Sequence, residues 1–180
     1  MREAKLVETD AGLEPDGEGW FVVNARQSRW GHTPDSGSYT SFGSREAHFP
    51  AVGVNIHVLP PGQPNAMYHA EGEQEDFLVL FGECVAIVEG EERRLRQWDL
   101  LHCPPGTRHV LVGAGEGLCG ILMIGARGHS DELLYPLDPV AEKHGAAALA
   151  ETTSGREAYA HRSPPEDGPY RPGTLPDEGG

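Results

Sequence analysis

The chain has 180 residues, of which 38% are hydrophobic, with 24 Gly, 15 Pro and a formal charge of −14. This length suits one domain with a sizeable core, and the Gly and Pro content argues against a helical bundle. An excess of 28 acids over 14 bases argues against nucleic acid or an anionic membrane as a partner, because both need a basic surface.

Residues 1–19 are acidic and Gly-rich and read as a frayed N-terminus, while WFVVNA (20–25) has the composition of a short strand. The segment 26–44 is rich in turn formers and reads as a long irregular arm anchored by aromatics. A strand is predicted at VGVNIHVL (52–59), a turn at PPGQPN (60–65) and an extended segment at AMYHAE (66–71). DFLVLF (76–81) is apolar on both faces, so it is expected to be covered on both sides.

CVAIVEGEERRL (84–95) reads as two strands joined by a turn at Glu89-Gly90-Glu91. WDLLHC (98–103), RHVLV (108–112) and LCGILMIG (118–125) complete about eight strands between positions 20 and 125. That spacing predicts an all-β sandwich or barrel. The one predicted helix is 138–153, with Asp138 as N-cap and Pro139 in its first turn. The Pro- and Gly-rich end cannot form a core of its own.

No apolar run reaches the length of a transmembrane helix, and MREAKLVETD lacks the apolar core of a secretory signal. The three cysteines, Cys84, Cys103 and Cys119, are therefore expected to be buried free thiols in a cytoplasmic protein.

The stretch YHAEGEQEDFLVLFGE (68–83) places polar, acidic residues directly before an apolar strand. Side chains alternate along a strand, so His69 and Glu71 share a face. If residues 72–74 make a bend, Glu75 can converge on them from the next strand. His109 follows a stiff Pro-Pro-Gly turn. Two imidazoles and one or two carboxylates on rigid strands suit a divalent metal; solvated loop side chains are the alternative.

Two stretches resemble the paired motifs of the cupin superfamily. In the first, His69, Glu71, Glu75 and Gly82 follow the motif spacing, with Glu71 where a second His is usual and Gly62 one residue too early. In the second, Pro104, Gly106 and His109 match, while Trp98 replaces a leading Gly and Gly113 stands at an Asn position. The resemblance spans positions 50–125 and implies a double-stranded β-helix, or jelly-roll barrel. It would occupy 20–125, with a C-terminal extension, 126–180, packed on it and partly disordered at its end.

The resemblance further implies one divalent ion, Fe, Mn, Zn or Ni, held by His69, Glu75 and His109. Glu71 is either a fourth ligand or a general base with its pKa raised by burial and by Glu75. A small-molecule substrate and a dioxygenase, and hence an oxidoreductase, are the expected partner and activity. A redox-neutral isomerase, epimerase or lyase on a sugar or keto acid is the alternative, as is a non-catalytic binding module. Phe77, Val79, Phe81, Ile121 and Met123 are the expected substrate wall, bordered by Met67 and Tyr68.

Simpler roles are expected elsewhere. His57 reads as a partly exposed strand residue, His102 as packing, and Arg108 as a surface ion-pair member. His129, His144 and His161 read as solvated, and Trp20, Trp30 and Trp98 as packing aromatics. The doubly apolar strand suggests a homodimer.

Overall fold

The structure is a computed structural model that describes residues 1–44, 49–128 and 132–177. Strands dominate it. In chain order they are β1 (Lys5–Thr9), β2 (Gly12–Asp16), β3 (Trp30–His32), β4 (Ser38–Ser41), β5 (Val52–Leu59), β6 (Ala70–Glu71), β7 (Glu75–Phe81), β8 (Glu83–Val88), β9 (Glu91–Arg96), β10 (Leu100–Cys103), β11 (His109–Ala114), β12 (Cys119–Ala126) and β13 (Leu133–Leu134). Two short helices, α1 (Pro139–Lys143) and α2 (Gly155–Ala158), precede β14 (Glu166–Gly168).

A seven-stranded antiparallel sheet runs β10-β7-β12-β5-β4-β3-β14, and a three-stranded sheet runs β11-β8-β9. This is the expected all-β jelly roll, and strand order is set by turns that the sequence specifies. Glu89 and Gly90 have φ of 49° and 77° and join β8 to β9 with Val88 opposite Glu91. That backbone matches the right-handed twist of a two-residue hairpin. At Gly82, φ is 73° and an added Cβ would lie 2.2 Å from the Leu118 carbonyl oxygen. Only Gly fits the corner between β7 and β8.

Register defines the inner face. Ile121 pairs with His57 and Val79, and Met123 with Asn55 and Phe77. Phe77, Val79, Ile121 and Met123 pack with Leu59, Cys84, Ala86, Cys103, Leu111 and Cys119 as the barrel core. Fully burying a side chain such as Phe77 or Ile121 contributes roughly 1.5–3 kcal/mol. All three cysteines are buried and free.

Several elements differ from expectation. Residues 5–16 form the β1–β2 hairpin, paired from Lys5–Asp16 to Thr9–Gly12, instead of fraying. The segment 20–25 forms no strand; Trp20 makes a single bridge to Glu3, and Trp20 and Val22 are exposed. The 26–44 arm supplies β3 and β4, which extend the large sheet through Tyr39–His57 pairing. Trp30 in that arm is fully buried, which explains why so polar a stretch is ordered.

The predicted 138–153 helix stops at Lys143. Asp138 caps it, with Oδ1 accepting from Val140 and Ala141 N–H at 2.8 and 2.9 Å, but Gly145 turns left-handed at φ 62° and ends it. Trp98 also adopts a left-handed φ of 75°. It occupies a motif position where Gly is usual, so the chain keeps that conformation with a bulky residue that disfavours it. Trp98 is 68% exposed, not packed. The second motif departure has a steric cause: a Cβ on Gly113 would lie 2.2 Å from the Pro60 carbonyl oxygen, so an Asn would not fit there.

Candidate metal centre

His69 and His109 face each other across an isolated antiparallel bridge. Their backbones exchange both hydrogen bonds, His69 N–H to His109 C=O at 3.1 Å and the reverse at 2.8 Å. The stiff turn after Cys103 is also tied in, since Gly106 N–H donates to the Glu71 carbonyl at 2.7 Å. Glu75 opens β7 next door, on the same face as Phe77 and Val79.

Each imidazole is oriented by its own backbone. His69 Nδ1 lies 2.7 Å from the Met67 carbonyl oxygen, and His109 Nδ1 lies 3.0 Å from that of Thr107. A carbonyl can only accept, so both Nδ1 atoms carry the proton. Nε2 of each ring is then the atom left to bind a metal, and it points to the space in front of Glu75. Oε2 of Glu75 lies 3.1 Å from His109 Nε2 and 3.7 Å from His69 Nε2. One ligand atom from each of His69, Glu75 and His109 falls within 4.8 Å of the others.

Glu75 Oε2 and His109 Nε2 are both buried without a hydrogen-bond partner. Two acceptors aimed at one point in a buried site require a positive charge between them. Burial disfavours charge on His109, but the Cys103 thiol and the Glu75 carboxylate outweigh it and raise its pKa to about 10. A proton takes the position when no cation does. The donor set of two imidazole nitrogens and a carboxylate oxygen fits a borderline divalent ion.

Glu71 stands apart from the three. Its Oε1 lies 3.5 Å from His69 Nε2, and its side chain is 42% exposed against 19% for Glu75. The His69 hydrogen bond holds its carboxyl below the usual range despite partial burial. This differs from the expected rise and makes Glu71 an anion in the metal-free protein.

Sequence reasoning missed several neighbours. Tyr135 packs on the His69 ring at 5.8 Å, and burial, with Tyr159, Glu71 and Glu75 nearby, pushes its phenol up to about 12. It comes from the C-terminal extension, where β13 pairs with β6 and brings Leu133 opposite Glu71. No local signal marks it. Cys103 faces inward opposite Glu75, which alternation from the Pro turn could have suggested.

Other expected residues settle as follows. Met67 and Tyr68 are fully buried; Met67 packs on Tyr135, Ala148 and Ala158, and Tyr68 OH accepts from Gly90 N–H at 3.0 Å. His57 faces the barrel interior and stacks on Tyr39 with ring centroids 5.1 Å apart. His102 is exposed and bonded to Asp76 at 2.6 Å. Arg108 pairs with Glu89 on the surface, Nε to Oε2 at 2.8 Å. His144 meets Glu92 at 2.9 Å, and His129 lies outside the described residues. Of the expected apolar wall, Phe77, Val79, Ile121 and Met123 form the packed core rather than an open wall, and Phe81 lies over Gly120.

Residues 55–125 match the family model described as Cupin domain. Among solved structures, the chain is similar to a predicted oxalate decarboxylase from Thermotoga maritima, with 23% identity, 58% of this chain and 97% of that chain covered, and a TM-score of 0.51. It is also similar to a candidate sugar phosphate isomerase from Acidithiobacillus ferrooxidans (21% identity, 56% of this chain, 65% of that chain, TM-score 0.46). A third is the polyketide cyclase RemF from Streptomyces resistomycificus (13% identity, 59% and 77% coverage, TM-score 0.48). No curated protein sequence matches the chain. The match and the topology define a cupin domain at 55–125 with a jelly-roll fold, extended by β3 and β4 before it and by the C-terminal segment after it. Among the described residues no helix is long and apolar enough to cross a membrane.

Proposed function

We propose that this cupin domain binds one divalent metal ion through His69, Glu75 and His109, and that the protein is a metal-dependent enzyme acting on a small organic molecule in the cytoplasm. One observation carries the reading: Glu75 Oε2 and the two Nε2 atoms converge, and Glu75 Oε2 and His109 Nε2 are buried and unpartnered. A divalent ion bound there supplies Lewis acidity and, as Fe²⁺, one-electron chemistry towards O₂. The Met67 and Thr107 carbonyls hold the imidazoles in their ligating tautomer. The packed core beneath keeps bulk water from the inner side of the site.

The oxygenase form is favoured because three ligands leave coordination positions for substrate and O₂. Glu71, the fourth-ligand position, supports a second reading. An ionised, partly exposed carboxylate 3.5 Å from His69 Nε2 is placed to move a proton, as an isomerase or lyase requires. The expected result is one Fe²⁺ per chain, with a new paramagnetic resonance signal on anaerobic addition of nitric oxide. Failure to bind any divalent metal, or an iron-loaded protein silent to nitric oxide, would remove the oxygenase. Glu71→Gln is expected to weaken metal binding by roughly 10–100-fold, the range seen for peripheral metal contacts. Retained metal with lost turnover assigns Glu71 to proton transfer instead.

A homodimer is part of this proposal. Leu100, Leu78, Leu122 and Ile56 form one row across β10, β7, β12 and β5 on the outer face of the large sheet, and Leu100 is 64% exposed. Trp98, held in a strained backbone next to it, adds an exposed aromatic of the kind that anchors interfaces. Light scattering at micromolar concentration is expected to give twice the chain mass. Leu100→Glu is expected to return it to one chain; a monomeric wild type contradicts the dimer.

A further inference from the structure

One row of inward positions beside the proposed ligands carries no side chains. Glu75 on β7 pairs with Gly125 on β12, and Gly125 pairs with Gly53 on β5. All three share the inward face of Phe77, Met123 and Asn55. A Cβ on Gly125 would meet only Glu75 within 4 Å, with Oε1 at 3.7 Å. A Cβ on Gly53 would meet Arg127, with Nε at 3.4 Å and Nη2 at 3.5 Å. The place over Gly125 is therefore open, between the Glu75 carboxylate on one side and the guanidinium lying over Gly53 on the other, on strands about two spacings, ~9.6 Å, apart.

The guanidinium is available. Arg127 is exposed and borders a cavity of about 250 Å³ together with Ser41 and Phe49. Among the described residues, no ion pair or side-chain hydrogen bond holds it. One layer further in on the same wall, Asn55 Oδ1 and His57 Nδ1 are buried without partners. A wall that runs from arginine to unpartnered amide and imidazole fits a polar molecule, not a hydrocarbon.

We propose that Arg127 is a specificity-determining residue, seating the anionic end (a carboxylate or a phosphate monoester) of a small polar substrate whose other end faces the metal position beside Glu75. Planar, bidentate recognition of either anion is what a guanidinium provides. The glycines are required because any larger side chain in the row would fill the path between the two ends. This rests on the metal reading above.

The test is calorimetric titration of full-length, Mn²⁺-loaded protein with succinate, 2-phosphoglycolate and monomethyl succinate. The expected result is binding of one dianion, whose head group identifies the anion, with monomethyl succinate weaker by about tenfold or more, as loss of a charged hydrogen bond predicts. Arg127→Met is expected to weaken the dianion by a similar factor and leave Mn²⁺ affinity unchanged. Gly125→Ala, whose added carbon meets only ordinary contacts, is expected to weaken it as well. The proposal is overturned if neither dianion binds, if monomethyl succinate binds equally, or if Arg127→Met binds as the wild type does. Repeating the titrations on metal-free protein separates the two readings. A wild type that takes up no Mn²⁺ defeats the metal centre, whereas dianion binding indifferent to Arg127 defeats this assignment alone.

Discussion

Replacing Glu75 by Gln is expected to lower Mn²⁺ affinity by at least ~100-fold, because even groups outside the ligand shell change metal affinity by 10–100-fold. Glu75 is the carboxylate whose Oε2 touches both imidazoles, at 3.1 and 3.7 Å. The amide removes the negative charge and keeps the shape. In the metal-free protein a proton holds the metal's place between His109 Nε2 and Glu75 Oε2, 3.1 Å apart. The amide removes the charge that this buried imidazolium faces, so a loss of roughly 1.5–3 kcal/mol is expected in urea unfolding without metal at pH 7. With Mn²⁺ at a hundred times its dissociation constant, the wild type gains about 2.7 kcal/mol more and the variant does not. The gap between the two stability curves should therefore widen as metal is added. Unchanged Mn²⁺ affinity in the variant would remove Glu75 from the ligand set.

Much of this centre was legible in the chain because it is local. His69 and Glu75 are six positions apart on either side of one bend, and His109 follows a rigid turn, so alternation and turn chemistry fix their directions. β5, β7, β8 and β9 were legible for the same reason. Their boundaries follow β-rich runs and the Glu89-Gly90 turn, whose φ values are those a hairpin needs.

What escaped depends on distant partners. Nothing in the 26–44 arm announces a strand, because its order comes from burying Trp30 and pairing with β5. Tyr135 reaches His69 only because β13 pairs with β6. His57 is partly buried, in keeping with the partly exposed strand residue expected; what the sequence did not show is the register across β12 and β4 that sets its ring on the inner face, with Ile121 and Tyr39 as its neighbours. The apolar run 118–125 was easy to see, yet the function-bearing feature within it is the side chain that Gly125 lacks.

His57 yields the second large expectation, a loss of stability in mild acid. Burial lowers its pKa from 6.5 to about 4. In the unfolded chain the imidazole takes up a proton below about 6.5, while the folded protein resists protonation until about 4. The unfolded state therefore binds more protons in that window, and stability falls as pH falls through it. A shift of this size corresponds to about 3 kcal/mol, fully present above pH 6.5 and gone below pH 4. His57→Phe keeps a ring against Tyr39 and cannot protonate, so urea unfolding from pH 7 to 4 should show a flatter curve for the variant by about that amount. Parallel curves would mean that His57 is solvated.

At neutral pH the same residue is an uncharged imidazole with Nδ1 unpartnered on the inner wall, two positions from Asn55 and four from Gly53. A purely structural barrel would fill that wall with Val or Ile and lose the acid sensitivity. Keeping a polar strip there, at a cost in stability, is what a site for a polar substrate requires.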